Sequence, residues 1–450
     1  MKNFKWIQGI KTGFSLVTIN LVLGFIGLEI VSLGFYYSQE NRLFYTRENT
    51  ISKVREDLEK TGTRLGADLN NESILERIHP FFGYVLKAGS FTHEESGIRI
   101  NNYGFVSQYN YPFIKNNKNQ FIIGIFGGSV ANNFAVGLNI NQSRGNEEFI
   151  NNLKTIPELA DKEIIILCFS GGGYKQPQQL LILNYFLSIG QEFDMVINID
   201  GFNEVALSHQ NNQAKIKLTL PSIQHILPLT RLASDDLSVM KAIVQISELK
   251  HNLSTAINKL ESCQLASCHS LRSLQVKGLL ESYQKEIIKY DQQIARNSQN
   301  IDSDSLVYLN KMPEVLEDEV AFEKIAENWY ESSLTMSHIL AERNKWYFHF
   351  IQPNQYYPTE RVFSPEEKVL IIEGHPYSTG VKKGYPMLFS KISGLREAKV
   401  NIFNGVNIFD EEKEVVYRDA CCHYNFLGDT ILENFVANSI KNVMENQEKN

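Results

Sequence analysis

The chain has 450 residues, 43% of them hydrophobic and 21% charged, with a formal net charge of −7. That is ample for one large core, or for one domain carrying a sizeable insertion, and the abundant Tyr (20) and Phe (27) exclude a disordered chain. No basic block stands out, which argues against nucleic acid as a partner; the five cysteines, Cys168, Cys263, Cys268, Cys421 and Cys422, form no CxxC pair, so a structural zinc has no motif behind it, and GIFGGS lacks the GxGxxG spacing of a nucleotide cofactor site.

Gly13 to Tyr37 (GFSLVTINLVLGFIGLEIVSLGFYY) carries a single charge, Glu29. The run is long enough to cross a bilayer with some tilt. Lys2, Lys5 and Lys11 precede it, so the positive-inside rule keeps residues 1–12 cytoplasmic and exports the rest, to the periplasm or outer face. The run is too long for a signal-peptide core and no A-x-A-like site follows, which favours an uncleaved anchor over a cleaved signal. Glu29 would cost about 2.5–3.5 kcal/mol at mid-membrane, less if it snorkels outward; a partner helix is possible but not expected. Residues 38–78 are charged and helix-friendly and read as a membrane-proximal stalk. From His79 the segments HPFFGYVLKAGS and IRINNYGF are punctuated by Gly, Pro and Asn, which suggests loops and hairpins laid against a core.

An α/β alternation then begins. Phe121 to Phe126 is a short apolar run of the kind buried on both faces of a parallel sheet, and Gly127-Gly128-Ser129 follows it. A helical stretch near Arg144 to Leu159 leads to a second strand, Glu163 to Phe169, and then Ser170-Gly171-Gly172-Gly173-Tyr174. After a helix at Gln176 to Ile189, a third strand at Met195 to Ile199 runs into Asp200-Gly201-Phe202-Asn203-Glu204. Strands alternating with helices read as a doubly wound parallel sheet. Roughly Pro221 to Asn344 is charge-laced helical sequence, an insertion expected to cap the site, and Cys263 and Cys268 within it are expected to be bonded outside the cytoplasm. The sheet resumes at Trp346 to Ile351; a loop containing HPYSTGVKKGYP, a helix, a last strand near Lys399 to Phe403 and a helix at Gly428 to Val443 complete the chain.

Three loops after three successive strands thus carry groups that acyl transfer needs. Ser129 is the candidate nucleophile, at the strand end where open α/β sheets place their ligands. The Gly171–Gly173 loop and Asn203 are candidate donors to an oxyanion. His423, just before the last helix, is the candidate general base, with Asp419 to orient it. Each alone has a plain alternative (a turn, a helix cap, a surface histidine); their order along one fold is what carries information.

In these blocks the chain resembles the SGNH (GDSL-like) hydrolase superfamily, specifically its membrane-anchored bacterial members. GGSVA with Ser129 matches the serine block, SGGGY with Gly173 the glycine block, GFNE with Asn203 the asparagine block, and DACCHYNFLG with Asp419 and His423 the last block. The resemblance implies a flavodoxin-like sheet over residues 79–450, and an oxyanion hole formed by Ser129, Gly173 and Asn203. Three departures stand out. Gly128 replaces the aspartate of GDS, Glu204 stands where an aspartate is usual, and Asp419 lies four residues before His423 rather than three. Cys421-Cys422 could bend that loop to compensate, for example through a vicinal disulfide. The expected function is an extracytoplasmic serine ester hydrolase or O-acyl transferase acting on an acylated carbohydrate, lipid or other ester. The alternative is an inactive, membrane-tethered binding protein on the same fold.

Overall fold

The computed structural model describes residues 2–40, 43–46, 76–93, 96–140, 145–231, 237–297, 309, 312–371 and 376–447. Helix α1 (Lys2–Glu40) opens the chain. Two short antiparallel hairpins follow, β1 (Glu76–His79) with β2 (Gly83–Leu86) and β3 (Arg99–Ile100) with β4 (Val106–Ser107). The alternating part comprises β5 (Gln120–Gly127), α2 (Ser129–Ile140), α3 (Gly145–Lys154), β6 (Glu163–Cys168), α4 (Gln178–Ser188), β7 (Met195–Asp200) and α5 (Phe202–Gln213). Four helices come next: α6 (Ile223–Arg231), α7 (Leu237–Glu261), α8 (Ala266–Asn297) and α9 (Asp318–Ala341). The chain closes with β8 (Trp346–Ile351), α10 (Pro365–Leu370), α11 (Pro376–Glu397), β9 (Asn401–Asn404) and α12 (Phe426–Gln447).

Five strands form one parallel sheet in the order β6-β5-β7-β8-β9. Its central strands are mostly apolar, and β7 is buried along its whole length, as parallel strands are. Register places Ile125 beside both Cys168 and Ile197, so β5, β6 and β7 end together. The loops Gly127–Ser129, Ser170–Tyr174 and Gly201–Glu204 therefore emerge side by side on one edge. The segment before β5 packs onto this core, as its punctuation suggests. Tyr111 stacks on Phe169 at 4.5 Å and donates its hydroxyl to the Cys168 carbonyl at 2.9 Å.

The chain divides into two compact units, residues 75–229 with 308–450, and residues 1–74 with 230–307. The insertion is therefore shorter than the stretch 221–344 expected from sequence. Helix α9 belongs with the sheet, where the buried Trp329 Nε1 donates to Asp200 Oδ1 at 2.8 Å. The expected stalk falls mostly outside the described residues, and its last part is not helical: 76–78 lie in β1, paired with β2. The loop expected at His375–Pro386 is instead, from Pro376 on, the first half of α11. Gly380 and Gly384 there look like breakers but serve close packing, since a Cβ on either would fall 2.8 Å from the Ala206 Cα or 2.4 Å from a Val205 methyl.

In the other unit, α7 and α8 form a hairpin around Leu253, Ile257, Leu260, Val276, Tyr283 and Ile287. The expected Cys263–Cys268 disulfide closes its turn. Thr18–Ser38 of α1, with mean hydropathy 1.8, is long and apolar enough to span a membrane. Against expectation, Glu29 has a partner helix, because its carboxylate accepts hydrogen bonds from the first residues of α8.

Candidate active site

The site begins with two glycines that let β5 turn into α2. Gly127 has φ +136°, and a Cβ there would lie 2.0 Å from the Ile199 carbonyl oxygen, so only glycine fits. At Gly128 a Cβ would lie 2.2 Å from Asn203 Nδ2. Asn203's amide thus occupies the space that any side chain at 128 would need. Ser129 follows as the first residue of α2, at the positive end of that helix's dipole.

His423 bridges the other two members. Its Nε2 lies 2.7 Å from Ser129 Oγ and its Nδ1 2.6 Å from Asp419 Oδ2. The extra residue between Asp419 and His423 is absorbed by a closed turn. Arg418 N donates to the His423 carbonyl at 3.1 Å, and Asp419 Oδ1 accepts from the N–H of Cys421 at 2.9 Å and of His423 at 3.4 Å. Gln355 Nε2 donates to the Asp419 carbonyl at 2.9 Å, and the Tyr356 hydroxyl to that of Ala420. No vicinal disulfide shapes the turn: the Cys421 and Cys422 thiols are free, with sulfurs 3.7 Å apart. Burial pushes the Asp419 carboxyl up, but the hydrogen bond and charge of His423 and the two N–H donors outweigh it. The carboxyl is held below its ordinary value and stays ionised beside the imidazole.

The oxyanion candidates converge on the same edge. Asn203, in the first turn of α5, donates one amide N–H to the Tyr174 carbonyl at 2.9 Å, leaving a second for a ligand. Gly173 has φ +71°, and a Cβ there would fall 2.3 Å from the His225 ring. Glu204 ties the two loops together, accepting from Gly201 N at 2.7 Å and from Gln176 N at 3.0 Å. Burial, and then the Asp200 charge, raise its carboxyl to about 8. A carboxyl here is thus a brace between loops.

Several residues that shape the site carry no sequence signal. The Tyr84 hydroxyl donates to the Gly172 carbonyl at 2.7 Å, and Tyr84 stacks on His225 at 4.9 Å. His225 Nδ1 meets Glu76 Oε1 at 2.6 Å across 149 positions of chain, a separation that no motif spans. The glycine loop is thereby clamped from the β1–β2 hairpin and α6. The ligand atoms of Cys421, Cys422 and His423 lie within 4.8 Å of one another. Both ring nitrogens of His423 already face Asp419 and Ser129, so a metal held there would have to displace one of those contacts. Asp410, another carboxylate ahead of His423, accepts from Asn407 Nδ2 at 2.8 Å and from Glu360 N at 3.3 Å. No known family model matches the chain, and no curated protein matches it significantly.

Proposed function

We propose that the chain is a membrane-anchored serine ester hydrolase or O-acyl transferase of the SGNH (GDSL-like) type. The observation that carries this reading is the connected array Ser129–His423–Asp419, with both hydrogen bonds at 2.6–2.7 Å although its members lie 294 positions apart at the widest pair. The strand order supports it, since β6-β5-β7-β8-β9 is the flavodoxin-like order 2-1-3-4-5, whose ligands sit at the switch point beside the first strand. Ser129, Gly173 and Asn203 stand at that place. An inert binding protein would have no use for a serine, base and acid in hydrogen-bonding register.

In this mechanism Ser129 Oγ attacks the acyl carbonyl while His423 Nε2 takes its proton, and Asp419 steadies the imidazolium. The N–H groups of Ser129 and Gly173 and the free N–H of Asn203 hold the oxyanion. His423 then returns the proton to the departing alkoxide oxygen, leaving an acyl-serine. Water releases the acyl group in a hydrolase, and an acceptor hydroxyl takes it in a transferase. The substrate class is an ester such as an acylated carbohydrate or lipid, and no step needs a metal or cofactor.

Placement of residues 38–450 outside the cytoplasm is supported by Lys2, Lys5 and Lys11 before the apolar run and by the Cys263–Cys268 disulfide. Two experiments test the proposal. Full-length protein assayed against p-nitrophenyl esters of graded acyl length should turn over at least one, with Ser129→Ala inactive. Equal rates in both proteins would remove the enzyme reading. A C-terminal alkaline phosphatase fusion should be active in cells, and an inactive fusion whose fluorescent counterpart is bright would reverse the topology.

A further inference from the structure

We infer that the turn joining α7 to α8 is a second membrane-contacting element, embedded beside the anchor and held there by Glu29. This rests on the reading of α1 as a membrane span. Within Thr18–Ser38, Glu29 lies roughly 13 Å below the Ser38 end at 1.5 Å per residue. A bare carboxylate at that depth is unfavourable, yet this one is saturated. Oε1 accepts from Ala266 N at 2.6 Å and the Tyr45 hydroxyl at 2.9 Å, and Oε2 from Ser267 N at 3.0 Å and Ser267 Oγ at 2.5 Å. Ala266 and Ser267 open α8, so the charge also sits at that helix's positive end.

The start of α8 is therefore at the depth of Glu29, and its next turns climb alongside the end of α1. Leu33 and Tyr36 pack with Ala266 and Phe44, and the Tyr36 ring meets His269 at 5.1 Å. The composition of the turn suits an apolar surrounding. Between Glu261 and Arg272 no residue is charged, in a hairpin otherwise laced with charge, and a disulfide closes this stretch. Arg272 is long enough to reach upward to headgroups.

Two positions of the membrane surface can be compared. With the surface at Glu29, Ile30, Val31 and Phe35 of α1 and Leu271 and Leu274 of α8 would all face water, the two leucines 69% and 65% exposed. With the surface above them, the same side chains meet acyl chains, continuous with the exposed apolar face of Ile19 to Leu28. Apolar residues gathered on two adjacent helices around a saturated carboxylate favour the second arrangement. The occupant of this face is thus lipid, in the leaflet from which residue 38 emerges.

Depth-dependent quenching tests this on the full chain in phosphatidylcholine vesicles brominated on the acyl chains, with the three native tryptophans as baseline. Leu271→Trp and Leu274→Trp should each add fluorescence quenched at least threefold more than that of Lys285→Trp, an exposed position roughly 16–21 Å further along α8. Equal quenching at all three sites in protein that floats with the vesicles would overturn the proposal and leave the face for a protein partner. Failure to float would instead remove the anchor reading. Adding Glu29→Leu to Leu271→Trp should reduce the quenching at least twofold, and unchanged quenching would show that Glu29 does not hold the turn.

Discussion

Replacing Asp419 with asparagine keeps the shape of the side chain and removes the charge that His423 Nδ1 meets at 2.6 Å. In a serine triad that loss is about 10⁴ in kcat, with the serine and base variants lower still, so steady-state assays should rank Asp419→Asn above Ser129→Ala and His423→Ala and far below wild type. Near wild-type turnover in Asp419→Asn would remove it as the acid. Because the folded Asp419 pKa is depressed, its contribution to stability is present above the unfolded value of 3.8 and lost as pH falls through the lower folded one. The melting-temperature gap between wild type and Asp419→Asn should accordingly narrow below that pH. Gly128→Ala offers a separate check on the oxyanion hole, since its Cβ would displace the Asn203 amide 2.2 Å away. Gly128→Ala and Asn203→Ala should each lower kcat about 10²–10³-fold, and the double variant should be no worse than either; additive losses would mean Gly128 acts elsewhere. Ser129 and Asn203 were legible because a strand end and a glycine mark each, and His423 because it stands just before the last helix. Asp419 was less so, because the turn that absorbs Ala420 is built from backbone hydrogen bonds, and the His225–Glu76 clamp was invisible because contact across so long a separation leaves no local pattern.

Among the elements, α12 carries an unusual burden. Glu433 is buried against Gly137 of α2, its Oε1 3.6 Å from where a Cβ would stand there. Burial, and then the charges of Asp429 and Glu148, raise its carboxyl from 4.5 to about 7. A raised carboxyl means that the folded chain holds a proton the unfolded chain has lost, so stability falls as pH rises through that window. Glu433→Gln should stabilise the protein at pH 8 by up to about 3 kcal/mol, a gain that fades toward pH 4; a constant difference across pH would refute the assignment. The strands were read within a residue or two of their ends because buried parallel strands are continuous apolar runs. Only the first half of α11 reads as a loop, because Gly380 and Gly384 signal one in sequence, whereas here they let α11 approach α5. The insertion was overextended because α9 is as charge-laced as α7 and α8, and only its buried face, with Trp329 and Met336, ties it to the sheet.

At the scale of the whole molecule, one unit gathers three strand ends and a late loop into a candidate acyl-transfer site, while the other joins the apolar N-terminal helix to a disulfide-closed hairpin. The order of blocks along the chain made the first arrangement legible. The second was not, because the saturation of Glu29 depends on residues 237 positions away. The central claim is that Ser129 is a nucleophile activated by His423. It is tested most directly by reacting the full-length protein with a fluorophosphonate and mapping the adduct by peptide mass spectrometry. A single phosphonyl adduct on Ser129, lost in Ser129→Ala and slowed at least a hundredfold in His423→Ala, is the result expected. An unreactive wild-type protein, or an adduct that persists in Ser129→Ala, would contradict it.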